Sequence, residues 1–326
     1  MAAFVNTVTG RISPDDLGTT LMHEHFFFGY PGYQGDHTLG PFDRTATIET
    51  GVEVAGRAKA NGVKTIVDAT PNDCGRDPEM LREISERSEV QIVCSTGYYY
   101  EGEGAPAYFK FRQGLGSAEG EIEEMFMAEI SDGIGTTGIK PGVIKLASGK
   151  DAISDYEAMF FRTGAKAQRE TGIPIITHTQ EGTMGPEQAG LLISEGADPN
   201  RVMIGHMDGN TDVEYHKETL SHGTCISLDR FGVQGIVGMP MDEERYKVLT
   251  QLLDEGNTGR IMLSHDTVNV WLGRPPVLPD EVASILGNWH IAHLFDNVIP
   301  TLKEAGVTDE QIETIFVDNP RRLFGD

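Results

Sequence analysis

The chain has 326 residues, 39% hydrophobic and 23% charged, enough apolar material for a sizeable core in an ordinary globule. Its 50 acidic and 26 basic residues leave a formal charge of −24, which excludes nucleic acid and anionic membrane as partners, since both need basic patches. Cys74, Cys94 and Cys225 are far apart with no CxxC pair, and "MAAFVNTVTGRISPDD" lacks the basic head and apolar run of a secretory signal, so free thiols in a reducing, cytoplasmic compartment are expected.

Short, nearly apolar runs recur along the chain: "TLMHEHF", "KTIVDAT", "QIVCSTG", "GVIKLAS", "IPIITHT", "RVMIGH", "TCISLD" and "RIMLSHD". Each has the length and composition of a parallel strand buried on both faces. Helical spacing lies between most of them. Ile48, Val52, Ala55 and Ala58 form one stripe after the first strand. Ser154 with Glu157 is a capping box that opens a helix, which Gly172 and Pro174 close. Thr308 with Gln311 repeats the capping signature near the end. Eight strands alternating with helices predict an α/β fold, a (β/α)8 TIM barrel over residues 1–326 as a single domain. An open doubly wound sheet is the alternative. It is disfavoured because no Gly-rich phosphate turn follows the first strand.

Polar residues are unusual on such strands, so their positions carry information. His23 and His25 end the first strand, Lys145 sits on the fourth, and His178 and His206 end the fifth and sixth. His265 and Asp266 end the eighth. Residues two apart share a strand face, so His23 and His25 project together and Glu24 faces away. A lone His at a strand end is usually a satisfied polar residue, and a lone Asp there is often a helix cap. The carboxyl ends of all barrel strands converge on one mouth, and there the set reads as a metal site. His37, His216, His222, His290 and His293 have no such placement and are expected at the surface or rim. Imidazole and carboxylate suit zinc, cobalt, manganese or iron. Four His and one Asp exceed what one catalytic zinc uses, whereas two ions would use them all. A desolvated Lys145 would become neutral, and it could then add CO2 to form a bridging carbamate.

The pattern "HEH", "IK", "THT", "IGH" and "SHD" resembles the phosphotriesterase family of the amidohydrolase superfamily, over essentially the whole chain. The resemblance implies two divalent ions, zinc first among them. His23, His25 and Asp266 would hold one, His178 and His206 the other, with carbamylated Lys145 and a hydroxide between them. Within the family it is closest to the phosphotriesterase-like lactonases. Tyr99 in "TGYYY" matches their active-site tyrosine, Arg230 in "LDRFG" their arginine, and Trp271 the tryptophan of their long loop after strand 8. The activity implied is hydrolysis of lactones, N-acyl-homoserine lactones or related γ/δ-lactones, with organophosphate hydrolysis as a side activity. The alternative is a phosphotriester, phosphodiester or carboxylic ester hydrolase on the same ions. Asp266 would act as base then acid, Tyr99 would donate to the carbonyl or ring oxygen, and Arg230 would orient the substrate. Phe27, its Phe neighbours, Trp271 and Trp289 would wall the pocket. A homodimer is implied by the resemblance alone.

Overall fold

The computed structural model describes residues 4–39, 42–236 and 239–325. A short antiparallel hairpin, β1 (Val5–Thr7) with β2 (Gly10–Ile12), precedes the main sheet. The barrel strands follow: β3 (Thr20–Phe28), β4 (Thr65–Asp68), β5 (Gln91–Gly97), β6 (Val143–Ser148), β7 (Ile175–Thr179), β8 (Val202–Ile204), β9 (Cys225–Leu228) and β10 (Ile261–Leu263). Each pairs in parallel with the next, and helices lie between them. A further strand, β11 (Val268–Trp271), pairs in parallel with β3. Asp266 N–H donates to His23 O at 3.1 Å, and His25 N–H donates to Thr267 O at 2.8 Å. The run from β10 through Ser264–Thr267 into β11 therefore closes the sheet against β3. The architecture is a TIM barrel, as its sequence pattern predicts, not an open sheet.

Strand alternation sorts the residues into two layers. Leu21, Ile66, Ile92, Ile144, Ile175, Ile204, Ile226 and Leu263 face the helices. Met22, Val67, Val93, Val143, Ile176, Met203, Cys225 and Met262 fill the lower barrel, sealed from below by Val5, Leu17, Leu323 and Phe324. The inner layer is thus apolar at the bottom. Two residues further along β6 and β7, the same face carries Lys145 and His178. On β3 the register against β4 shifts between Leu21 and Glu24. Such an irregularity re-aims side chains, and here Met22 joins the lower layer while His23 still points inward.

The helices follow their signals with two differences. Ser154 and Glu157 form the capping box of the helix Asp155–Thr171, closed by Gly172 at φ +75°. Thr308 and Gln311 cap Asp309–Glu313 in the same way. The helix Arg44–Ala60 buries Ile48, Ala55 and Ala58, but Val54 takes the inward position expected of Val52. Trp271 ends a strand rather than sitting in an open loop, because β11 continues the eighth strand past Asp266. Among the described residues, no helix is long and apolar enough to cross a membrane.

Candidate metal centre

The upper inner face brings His23, His25, Lys145, His178, His206 and Asp266 together. His23 Nε2 lies 2.6 Å from Lys145 Nζ and 3.8 Å from an Asp266 oxygen. His25 Nε2 is 3.1 Å from Asp266 Oδ1, and His206 Nε2 is 3.8 Å from Oδ2. The ring centroids of His23 and His206 are 4.5 Å apart, and those of His178 and His206 are 4.6 Å apart. His23, His206 and Asp266 by themselves offer three donor atoms within 4.8 Å of one another.

Each imidazole has its outer nitrogen tied down. Asp229 accepts from His23 Nδ1 at 3.0 Å and from His206 Nδ1 at 2.7 Å. Thr70 donates its hydroxyl proton to Phe27 O, so it accepts from His25 Nδ1 at 2.8 Å. These contacts put the protons on Nδ1 and leave three Nε2 lone pairs facing inward. His178 is the reverse: Nε2 lies 2.7 Å from Gln180 Oε1, leaving Nδ1 as the free donor. Anchoring of this kind fixes tautomer and ring orientation in metal sites. Burial and the Arg230 charge push His178 and His206 well below their usual range, so both are neutral, as ligands must be. Burial would raise Asp266, but the permanent charge of Arg230, 2.9 Å away, holds it well below the usual carboxylate range.

His206 and Asp266 both adopt left-handed backbone, at φ +58° and +53°. A non-glycine residue there costs about 1–3 kcal/mol, and such strain concentrates at functional sites. Lys145 is 1% exposed and among the described residues contacts His23 rather than a carboxylate. A charged ammonium in that position would be costly, and burial lowers its pKa to about 8. Gly97 makes room for β6 there, since a Cβ on it would come 1.8 Å from Lys145 O. Four imidazoles anchored through one ring nitrogen each, an ionised carboxylate and an amine poised to lose its proton fit divalent ions.

Above the donors lies a cavity of about 240 Å3, walled by Phe28, Trp271, Trp289, Val233, Ile236 and Met239, with Tyr99 and Arg230 beside the donors. Arg230 Nε donates to Asp266 Oδ2 at 2.9 Å. The Tyr99 ring is 4.8 Å from His178. Trp289 is fixed by Nε1–H donating to His265 O at 3.1 Å. Phe27 does not line the cavity. It is fully buried with Phe26 in the layer beneath the helices. The alternation set by His23 and His25 stops there, because two Phe rings bury more area in that layer than a rim position allows. Phe28 is the ring that reaches the mouth, 5.3 Å from His25.

Several supporting residues escaped the sequence pattern. Asp229 was visible as the polar end of "TCISLD", two residues after Ser227 on the same face. Glu24 faces away as expected, but it is a buried hub, accepting from Ser264, His265 and Thr267. His265 is not a ligand: Leu294 N–H donates to its Nε2 while its Nδ1 meets Glu24. His216 and His293 are buried rather than at the rim: His216 Nδ1 donates to Asp212 O at 2.7 Å while its Nε2 finds no partner among the described residues, and His293 Nε2 lies 2.9 Å from Asp242 Oδ2. Asp229→Asn is expected to weaken divalent-ion binding about ten- to hundredfold, because one imidazole N–H would then face an amide N–H. Titration against a competing chelator, with secondary structure checked by circular dichroism, measures it; unchanged affinity would count against the anchoring role.

The Phosphotriesterase family model matches residues 3–324. The organophosphorus hydrolase of Deinococcus radiodurans is 56% identical, covering 100% of this chain and 99% of that one at a TM-score of 0.97. A second structure, described as engineering of organophosphate hydrolysis activity from a weak promiscuous lactonase template, is 55% identical over 100% of both chains, also at 0.97. A phosphotriesterase homology protein of Mycobacterium tuberculosis is 35% identical, covering 98% of this chain and 97% of its own. With the barrel closed and its donors gathered at the mouth, a match spanning the chain from end to end makes this protein a member of the phosphotriesterase family of hydrolases.

Proposed function

We propose that the protein is a metal-dependent lactonase with organophosphate hydrolysis as a side activity. The observation that carries this is the cavity itself: an apolar wall of Phe28, Ile236, Met239, Trp271 and Trp289 over a floor where Arg230 meets Asp266. A lactone needs that division, with polar groups on the ring ester and apolar surface for its substituent. The lactonase template named for a relative 55% identical supports the same reading.

His23, His25 and Asp266 would hold one divalent ion and His178 and His206 the other, with Lys145 as a carbamate between them. Such a pair supplies an activated water and a Lewis acid for the carbonyl oxygen. The remaining chemistry belongs to the chain. Asp266, ionised and 14% exposed on its side chain, takes the proton of the attacking water and returns it to the leaving alkoxide. Burial keeps the Tyr99 phenol protonated, so it donates to the substrate's carbonyl or ring oxygen. Arg230 orients the ring, and the aromatic wall excludes bulk water. Leaving alkoxide and carboxylate stay in one molecule after ring opening, so product release needs no second pocket.

The test is an assay of enzyme reconstituted with zinc, cobalt or manganese over acyl-homoserine lactones, γ- and δ-lactones, phenyl esters and paraoxon. The highest kcat/KM is expected on lactones with an apolar substituent. Efficient phosphotriester or aryl ester turnover without lactone turnover would overturn the proposal in favour of a phosphoesterase or esterase on the same centre.

A further inference from the structure

The segment after β9 carries Arg230, Val233 and Ile236 into the cavity, yet it has no regular structure from Arg230 to Ile236. A loop in that position needs something to hold it. Its backbone groups are taken up by one buried polar cluster. Arg230 N–H donates to Asp208 Oδ2 at 2.9 Å. Gly232 N–H donates to both Asp242 oxygens at 3.2 Å. Val233 O accepts from Arg245 Nη2 at 2.6 Å. The guanidinium also joins the two carboxylates, with Nε 3.2 Å from Asp208 Oδ2 and Nη1 donating to Asp242 Oδ1 at 2.8 Å. His293 Nε2 lies 2.9 Å from Asp242 Oδ2. Arg245 and Asp208 side chains are fully buried, so this cation and its carboxylates are sheltered from water and salt.

A buried ion cluster is weak evidence for stability, because desolvation offsets the attraction. Its bonds instead share one target. They fix three backbone groups within four residues, next to the side chain that touches Asp266. Planar guanidinium geometry sets direction as well as distance, which an ammonium cannot do. We infer that Arg245, clamping Asp208 and Asp242, is a positioning residue that sets where Arg230 sits against Asp266 and the substrate. This rests on Arg230 facing the substrate, as proposed above.

The experiment is a double-mutant cycle between Arg245→Lys and Arg230→Ala on the best lactone, with metal content and thermal unfolding measured on every protein. Arg245→Lys is expected to lower kcat/KM about tenfold, since a small misplacement near reacting groups is costly. In the Arg230→Ala background the same change should cost less than about twofold, because the residue it positions is gone. Equal losses in both backgrounds would overturn the inference and leave Arg245 a general structural residue. No loss in the parent would overturn it too. Should Arg245→Lys fail to fold, Asp242→Asn, which removes one acceptor of the clamp, takes its place in the cycle under the same criteria. A crystal structure of the folded variant separates this from the lactonase proposal: Arg230 still bonded to Asp266, with residues 230–234 unmoved, would overturn the inference whatever substrate the enzyme prefers.

Discussion

Lys145→Ala is expected to bind one divalent ion at most and to lose activity on the order of a thousandfold or more. That exceeds the ten- to hundredfold usual for residues that only support a ligand. Lys145 stands on the inner face of β6, directly above Val143, with Nζ against His23 Nε2. At the floor of the cavity, a neutral amine can attack CO2, lose a proton and become an anionic carbamate. With its pKa pushed down to about 8 by burial, roughly one amine in ten is neutral at pH 7 and about nine in ten at pH 9. The sign follows: raising the pH through 8 deprotonates the amine and favours the carbamate. With dissolved CO2 held equal at both pH values, metal-stripped protein given zinc or cobalt should therefore recover faster at pH 9 than at pH 7. Metal analysis, a reactivation time course and an assay check all three points. A Lys145→Ala protein with two bound ions and the parental rate would rule out the bridging role.

Glu24→Gln is expected to destabilise the fold by about 3 kcal/mol, the range for leaving buried polar partners unpaired. One carboxylate oxygen accepts from Ser264 Oγ at 2.9 Å, His265 N at 2.9 Å and His265 Nδ1 at 2.7 Å. The other accepts from Thr267 N at 2.9 Å and Thr267 Oγ1 at 2.6 Å. Every contact is a donor pointing at Glu24, and an amide places an N–H among them. These bonds flank Asp266 on both sides and hold it in its left-handed conformation. Loss of stability should therefore come with loss of activity beyond what unfolding explains. Chemical denaturation and kcat/KM below the transition measure the two effects. A variant within about 0.5 kcal/mol of the parent, at full activity, would show that strand closure does not depend on this carboxylate.

The gathering of the candidate donors was legible because strand ends in a barrel converge by topology. Reading "HEH", "THT", "IGH" and "SHD" as strand ends was enough to gather residues more than 200 positions apart. Asp229 was legible in principle from the same alternation. Phe27 was expected at the pocket wall with its Phe neighbours, yet it is still paired with β11 and packs on the helix-facing side, and Phe28 reaches the cavity instead. Glu24 was judged by direction alone, although a carboxylate that faces away from a site and is still buried must be holding something. Arg245 gave only an ordinary local signal, an i,i+3 pair with Asp242 in "MDEERYKVL", and nothing there shows that it also reaches Asp208 and Val233 O.

The sequence by itself determined the period, and with it the eight strands, their two faces and the height of each polar residue within the barrel. Those properties follow from local spacing, because pleat and helix repeat are set by the backbone. Only the tertiary structure decided which buried charges meet. Asp229 bridging His23 and His206, Glu24 locking the last strand to the first, and Arg245 reaching Asp208 beyond its helix neighbour Asp242 all join residues far apart in the chain. A buried charge must find its partner or be expelled, and the partner is chosen by distance in space, which spacing along the chain does not encode.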